Sequence, residues 1–537
     1  MKTTLDWLKT HLDTDASPAS VVERLVMLGH DVEGVENRAA ALEPFTVAAV
    51  VSAAQHPNAD RLKLCVVDTG NETVQVVCGA PNAHTGMKGV FAPPGTVIPR
   101  TGALLKESTI RGVASRGMLC SAYELGLGDD HDGIIELAED APVGAKYADL
   151  LGLGDAVIDI KVAPNRADCL GVRGIARDLA ASGLGHLKPL DTTPVPGRFR
   201  SRIGIAIEDR SACPLFLGRH IRGLRNAASP DWLRRRLEAI GLRPISALVD
   251  ITNFLTFDVN RPLHVFDAGR LAGDLTVRLA RAGETLHALN GQEYTLDAQM
   301  TVIADRAGVQ SLGGVIGGEA TGCTEATTEV LIEAALFDPI RTAATGRRLN
   351  ISSDARYRFE RGLDPAFVGG GLEIATRLIL EECGGEAAEV VTAGAVPDWR
   401  RRYVLRAWRP ASLGGLDVPA GESAAILCAL GCAVDPLPSG DLSVEPPPWR
   451  GDIEGEADLV EEVLRVKGYD HIPAVPLRRE AVLPRPALVP IRRRSELVRR
   501  ALAARGLTEA VTFSFVSARE ADLFGGAKPE LRLVNPI

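Results

Sequence analysis

Four carboxylates, Asp452, Asp458, Glu461 and Glu462, crowd one short stretch of the sequence, and Arg465 is the only cation close to them in helical spacing. Hard oxygen donors at this density suit Mg²⁺, which keeps several waters and takes only a few carboxylates. A basic patch on a partner would neutralise them equally well, and the plain alternative is a solvated acidic face in which Glu461 pairs with Arg465. The surrounding sequence, PPPWRGDIEGEADLVEEVLRVKGYDHIP from Pro446 to Pro473, predicts one short helix from about Glu456 to Lys467. At 100° per residue Leu459, Val460, Val463, Leu464 and Val466 share one arc, and Asp458, Glu461 and Glu462 share the other. Gly468 suits the position after the helix, Arg465 and Lys467 suit its negative end, and the prolines before Trp449 fix its start.

A second group of polar residues lies between about Arg202 and Val396, where strand-like and helix-like patterns alternate. The glycine run Gly313-Gly314-Val315-Ile316-Gly317-Gly318 lacks the Lys-Ser/Thr of a P-loop and does not fit GxGxxG, so it reads as a tight turn or a place of close backbone approach. Arg358, Glu360, Arg361 and Asp364 read as an internal ion-pair network. No Ser-His-Asp or Cys-His arrangement is readable here, and a histidine such as His264 is by itself an ordinary structural residue.

The 537 residues are enough for several domains, with 46% hydrophobic content to fill their cores. A net charge of −9 argues against bulk attraction to nucleic acid, so any RNA contact must be local. Nine cysteines without a CxxC pair indicate neither a disulfide framework nor a zinc knuckle, and Cys428 with Cys432 reads as one apolar helix face. With no signal-like segment and no long apolar run, the chain is expected to be cytoplasmic, without membrane contact.

Taken in order, Ser17-Pro18 opens a helix that ends at Leu28-Gly29, and short β-like runs follow from Phe45. The residues from Ala156 to Ala181 predict a strand then a helix, and HLKPLDTTPVPGRFR from His186 reads as a linker. From Tyr403 to Pro473 an α/β module carries the acidic helix; a proline-rich connection then leads to a basic helix, Arg492–Ala504, and a strand, Val511–Phe515.

Pro448-Trp449-Arg450, Asp452, Asp458, Glu461-Glu462, Arg465 and Gly468-Tyr469-Asp470 resemble the signature of the bacterial phenylalanine–tRNA ligase beta subunit. Further matches follow the same order: Asn165-Arg166-Ala167-Asp168-Cys169, Val249-Asp250-Ile251-Thr252-Asn253, Pro262-Leu263-His264-Val265-Phe266-Asp267, Glu333-Ala334-Ala335-Leu336-Phe337 and Ser353-Asp354-Ala355. His56-Pro57-Asn58-Ala59-Asp60, Cys78-Gly79-Ala80-Pro81-Asn82 and Ser115-Arg116-Gly117-Met118 resemble the tRNA-binding OB module of several synthetases. Ser353 replaces the family's usual Thr, and Phe216 stands where Tyr is frequent.

The resemblance implies a multidomain α+β fold. Its parts would be an OB-fold β-barrel (41–150) inserted in a small α/β N-terminal domain (1–40 and 151–200), a central α+β editing domain (201–397), an α/β module with the acidic Mg²⁺-binding helix (398–475), and the incomplete start of a catalytically silent class II synthetase-like core (476–537). It implies a C-terminally truncated beta subunit whose alpha partner, in an α2β2 heterotetramer, binds ATP and joins Phe to tRNA(Phe). This chain would bind tRNA and hydrolyse mischarged Tyr-tRNA(Phe). His264 and Glu333 would act in editing, Gly317, Ser353 and Ala355 would line the pocket, and Asp452, Asp458, Glu461 and Glu462 would hold Mg²⁺. The competing expectation is a non-catalytic tRNA-binding scaffold or an inactive fragment.

Overall fold

Strands Lys2–Thr4 and Asp31–Glu36 flank Val157–Lys161 in an antiparallel sheet, so residues far apart in sequence share one small layer. The computed structural model describes residues 1–37, 39–476, 488–526 and 528–536, and divides into two units, Met1–Pro473 and Ala474–Ile537. Helix Pro18–Met27 forms as its sequence predicts: the Ser17 hydroxyl caps the Ser20 amide, proline occupies the first turn, and Gly29 leaves the helix at φ +88°. Helix Val172–Ala181 seals the layer, with Trp7, Leu8, Leu25, Ile158, Ile175 and Leu179 fully buried. Between these pieces lies a five-stranded antiparallel sheet ordered Met118–Leu119, Lys88–Ala92, Thr46–Gln55, Lys63–Asp68, Thr73–Cys78. Its edges meet through Arg116, whose amide donates to Gln75 O at 2.8 Å, and Ser115, whose Oγ accepts from Val77 N at 3.1 Å. Val50, Cys65, Val67 and Val76 fill its interior.

The central region stacks two sheets. Strands His264–Asp267, Glu329–Leu336, Leu215–Arg222 and Glu386–Gly394 form an antiparallel four-stranded sheet. Facing it, Ile205–Ile207, Leu275–Leu279, Thr301–Ala304, Val309–Leu312 and Ile316–Gly317 form a five-stranded sheet whose first pair is parallel. Side chains alternate as a strand demands. Phe216, Phe266, Leu331 and Ala335 point between the sheets, while Leu217, Val265, Ile332 and Ala334 pack on helices Ala247–Asp258 and Val368–Cys383. The stretch read as a linker is strapped down: His186–Leu187 pairs with Leu12–Asp13, Val195 N reaches Glu373 at 2.8 Å, and Arg198 N reaches Ala387 O at 2.8 Å.

Strands Tyr403–Leu405, Leu442–Glu445 and Ala433–Pro436 form the last sheet of this unit, with helices Ala420–Ala429 and Glu456–Lys467 upon it. The second of these helices has the bounds its sequence predicts. Cys428 is exposed on the first, and Cys432 is buried beyond that helix's end, so the two do not share a helix face.

In the second unit, helix Pro490–Ala504 has no buried residue. The expected strand at Val511–Phe515 is absent: Val511 is 98% and Phe513 94% exposed, and among the described residues no backbone lies alongside to supply a ladder. The connection residues 477–487 and Ile537 lie outside the described residues.

Two glycines test the packing. A Cβ on Gly174 would sit 1.9 Å from Asp168 O, whereas one on Gly369 meets nothing within 4 Å. Gly174→Ala is expected to destabilise the first unit by ~2 kcal/mol or more, and Gly369→Ala to be neutral or slightly stabilising, read as shifts in melting temperature.

Candidate functional site

Glu333 occupies the middle of strand Glu329–Leu336, directly opposite His264 at the start of His264–Asp267. Residues in direct register project from the same face. That face lies between the two sheets, where Phe266 meets the His264 ring edge-on at 4.4 Å between centroids. Glu333 Oε2 and His264 Nε2 are both buried, and neither has a hydrogen-bond partner. Burial pushes the Glu333 carboxyl up to about 8 and the His264 imidazole down to about 4. At neutral pH the pair is therefore a protonated carboxyl beside a neutral imidazole, and each can turn a polar atom towards an incoming group.

Gly317 closes the site from the opposing sheet. A Cβ there would lie 2.4 Å from His264 Cε1, so glycine is what lets the ring and this backbone share the space. The Gly317 carbonyl accepts from Leu289 N at 3.0 Å, and Leu289, 53% exposed, lies beside it at the solvent boundary. Ser353 has other duties: its Oγ accepts from Arg356 N, capping helix Asp354–Phe359, and donates to Val315 O at 2.6 Å, which anchors the glycine-rich turn. Ala355 packs against the core between the sheets. The structure thus brings His264, Glu333 and Gly317 together, with Ser353 and Ala355 supporting the walls. Phe266 was within reach of sequence reasoning, because a strand returns to the same face after two residues. Leu289 carries no sequence signal.

The four acids of the helical module do not converge. Asp452 receives two hydrogen bonds from the Arg450 guanidinium, each 2.8 Å. Glu462, expected on the polar arc, is buried between Arg450 and Arg465, whose Nε donates to its Oε1 at 2.8 Å. Burial alone would raise the Glu462 carboxyl, but these two arginines hold it at about 2. Asp458 Oδ2 accepts from Glu454 N at 2.8 Å and Gly455 N at 2.9 Å, satisfying the helix start, and Glu461 is exposed. Arg465 does not pair with Glu461; it continues past Glu462 to Asp178, at 2.9 Å. Among the described residues the one cluster at metal-ligand spacing is elsewhere, His30, Cys169 and Asp178, and there Arg166 and Arg465 already fill the Asp178 carboxylate.

Comparison with known proteins places these features in a family. Residues 45–146 match a putative tRNA binding domain, 212–384 the B3/4 domain, 403–469 the tRNA synthetase B5 domain, and 478–537 the phenylalanyl tRNA synthetase beta chain CLM domain. The phenylalanine–tRNA ligase beta subunit of Paramagnetospirillum magneticum is 58% identical over 541 residues, covering 100% of this chain and 67% of the relative. The chain belongs to the phenylalanine–tRNA ligase beta subunit family. The beta subunit of Rhodospirillum rubrum is 56% identical, with 68% of its length covered. A crystallised N-terminal beta-subunit fragment from Pyrococcus horikoshii aligns at 18% identity over 58% of this chain and 88% of its own, at a TM-score of 0.33. In this beta-subunit family member, His264, Glu333 and Gly317 all fall within the B3/4 match, and the arginine-paired acids within the B5 match.

The Glu333 shift has a defined sign. Its folded value, about 8, lies above the 4.5 of an unperturbed glutamate. Between those values the unfolded chain releases a proton that the folded chain retains, so stability falls as pH rises through the window. Glu333→Gln removes this loss: its stability relative to the parent should be unchanged near pH 4.5 and grow to about 4 kcal/mol by pH 8, measured by thermal unfolding across the range.

Proposed function

We propose that this chain acts with an alpha subunit, which joins phenylalanine to tRNA using ATP, and that it removes tyrosine wrongly attached to tRNA(Phe) at the His264–Glu333 pair. The observation that carries this reading is the buried, unpartnered polar pair on an otherwise apolar face between two sheets. A pocket shaped for phenylalanine rejects tyrosine by only about a hundredfold, because excluding an added hydroxyl by apolar contact is weak. A second site that hydrogen-bonds the hydroxyl discriminates in the reverse sense: the phenol satisfies a buried group that phenylalanine leaves unpaired. Glu333, protonated at neutral pH, both donates to and accepts from a phenolic oxygen. To the neutral His264 Nε2 we assign the orienting of the water that attacks the ester carbonyl, with the 3′-oxygen of the terminal ribose leaving. A protein nucleophile is disfavoured, since burial pushes the nearby Cys213 thiol up and the Ser353 hydroxyl is committed to Val315.

The five-stranded sheet of residues 45–146 is proposed as an OB-type surface for tRNA, and residues 478–537 as part of a class II core-like domain in an α2β2 assembly. The four-acid Mg²⁺ set does not fit as a unit, because arginines consume Asp452 and Glu462. Asp458 and Glu461 remain on the solvent side, and any cation held there takes its other ligands from water or from the alpha subunit.

Deacylation of Tyr-tRNA(Phe), with the alpha subunit present and Phe-tRNA(Phe) as control, checks the editing reading. His264→Ala is expected to slow tyrosine release by roughly 10²-fold or more, and Glu333→Ala to erase the preference for tyrosine over phenylalanine. Parental rates in both variants, or no activity in the parent, refute it. For the metal, Asp458→Ala with Glu461→Ala should abolish any Mg²⁺ dependence of alpha-subunit association, measured by sedimentation, while Glu462→Gln lowers the melting temperature and leaves that dependence in place.

A further inference from the structure

Away from the His264–Glu333 pair, a cavity of about 260 Å³ lies where helix Val172–Ala181, the loop around Asn260, the turn at Gly362–Phe367 and Trp449 meet. Its polar lining is unsatisfied at both signs. Arg177 stacks over the Trp449 indole at 4.3 Å, with its Nε buried and without an acceptor. No carboxylate among the described residues comes within ion-pair distance of it. Burial lowers the affinity of its guanidinium for the proton, the carboxylates of Asp168 and Asp364 offset this only in part, and neither of them is close enough to pair with it directly. Arg173, which also lines the cavity, spends its Nη1 on Lys188 O at 3.2 Å and His11 Nδ1 at 3.3 Å.

Besides Asp168, whose carboxylate Arg166 already holds with two hydrogen bonds, two further acceptors line the cavity. Asp364 takes an amide hydrogen bond from Ala366 at 2.9 Å but forms no ion pair, and burial pushes its carboxyl up. Asn260 donates its Nδ2 to Ala167 O at 2.9 Å, which turns Oδ1 into a buried position with no partner. Asn260 is held at φ +56°, in the left-handed region that asparagine tolerates better than most residues. The rest of the lining joins Thr192 to the apolar Leu190, Val259 and Phe367, and Leu187, 37% exposed, marks the mouth.

A ligand that satisfies this lining carries an anion for Arg177, a cationic donor for Asp364 and Asn260 Oδ1, and an apolar remainder, all within a volume below that of most drug-sized sites. We propose that this cavity binds a free α-amino acid with an apolar side chain, its carboxylate on Arg177 and its ammonium on Asp364 and Asn260. Inorganic phosphate answers Arg177 but sets a like charge against Asp364. A polyamine answers Asp364 but leaves Arg177 alone. A peptide carboxy-terminus has no ammonium on the same carbon. The proposal is independent of the editing reading, since none of these residues touches Glu333 or His264.

Isothermal titration of the purified full chain tests it, with L-leucine and L-phenylalanine as probes and N-acetyl-L-leucine, L-leucinamide and inorganic phosphate as controls. The expected result is saturable binding of the free amino acids with Kd between about 0.01 and 1 mM. Binding should weaken at least about tenfold in Arg177→Met and in Asp364→Asn, remain measurable in Arg177→Lys, and be unchanged in Glu333→Ala. Unfolding curves confirm that each variant is folded; if Arg177→Met is not, Asp364→Asn and Arg177→Lys decide. No binding by the parent chain up to about 10 mM overturns the proposal, as does equal binding of the N-acetyl or amide forms, or of phosphate alone. Binding lost in Glu333→Ala but kept in Asp364→Asn also overturns it, since the ligand then sits at the other site.

Discussion

The Asp178 carboxylate is the point on which the first unit depends. Three side chains from three parts of the sequence meet on it: His30 at 2.9 Å, Arg166 at 2.9 Å and Arg465 at 2.9 Å, the last from 287 residues away. From Arg465 the chain of charges continues to Glu462, Arg450 and Asp452, and from Arg166 to Asp168. Taking these groups out of water costs several kcal/mol for each ion, and only near-complete hydrogen bonding offsets that cost. Because every oxygen must find its arginine, the helix Glu456–Lys467 has a single seat against helix Val172–Ala181. Hydrophobic contact alone would tolerate rotations and slides that this network does not.

The same reasoning separates this network from the His264–Glu333 pair. The charges around Asp178 are paired to saturation, so they specify structure and have little capacity left for a ligand. His264 and Glu333 are the reverse, held by register and sterics with polar atoms left over. Their protons are where burial rather than a partner puts them, and a group of that kind has most to gain when a substrate arrives.

Much of this was legible in the sequence. The bounds of helix Glu456–Lys467 follow from its apolar arc, its proline entry and Gly468, and the helix Pro18–Met27 from its cap. The placement of His264 beside Glu333 was not legible from spacing, because it depends on two strands 69 residues apart in number choosing one register. The resemblance carried the two residues, and the structure supplied the pairing. Glu462 was misread for a physical reason: periodicity sorts residues by hydrophobicity, and a glutamate sealed between two arginines sits on a buried face while looking polar. Ser353 came to the pocket through the resemblance alone, and composition gave no sign that its hydroxyl is taken up by a helix cap and by Val315 O. The strand at Val511–Phe515 has the right composition, but strands are made by neighbours and not by composition alone.

The strand Glu329–Leu336 shows its two faces to two different cores. One face packs on helices, and the other holds Glu333 in the layer shared with Phe266 and Phe216. Since side chains alternate strictly, a shift of one residue would send Glu333 into the helical core and bring Ala334 to the layer between the sheets. Inheritance therefore treats this strand unevenly. Many exchanges of one letter for another leave its parity intact, while the gain or loss of a single codon within it inverts every position on one side of the change, so the site is guarded by an arithmetic of odd and even positions as much as by the identity of the residues that form it.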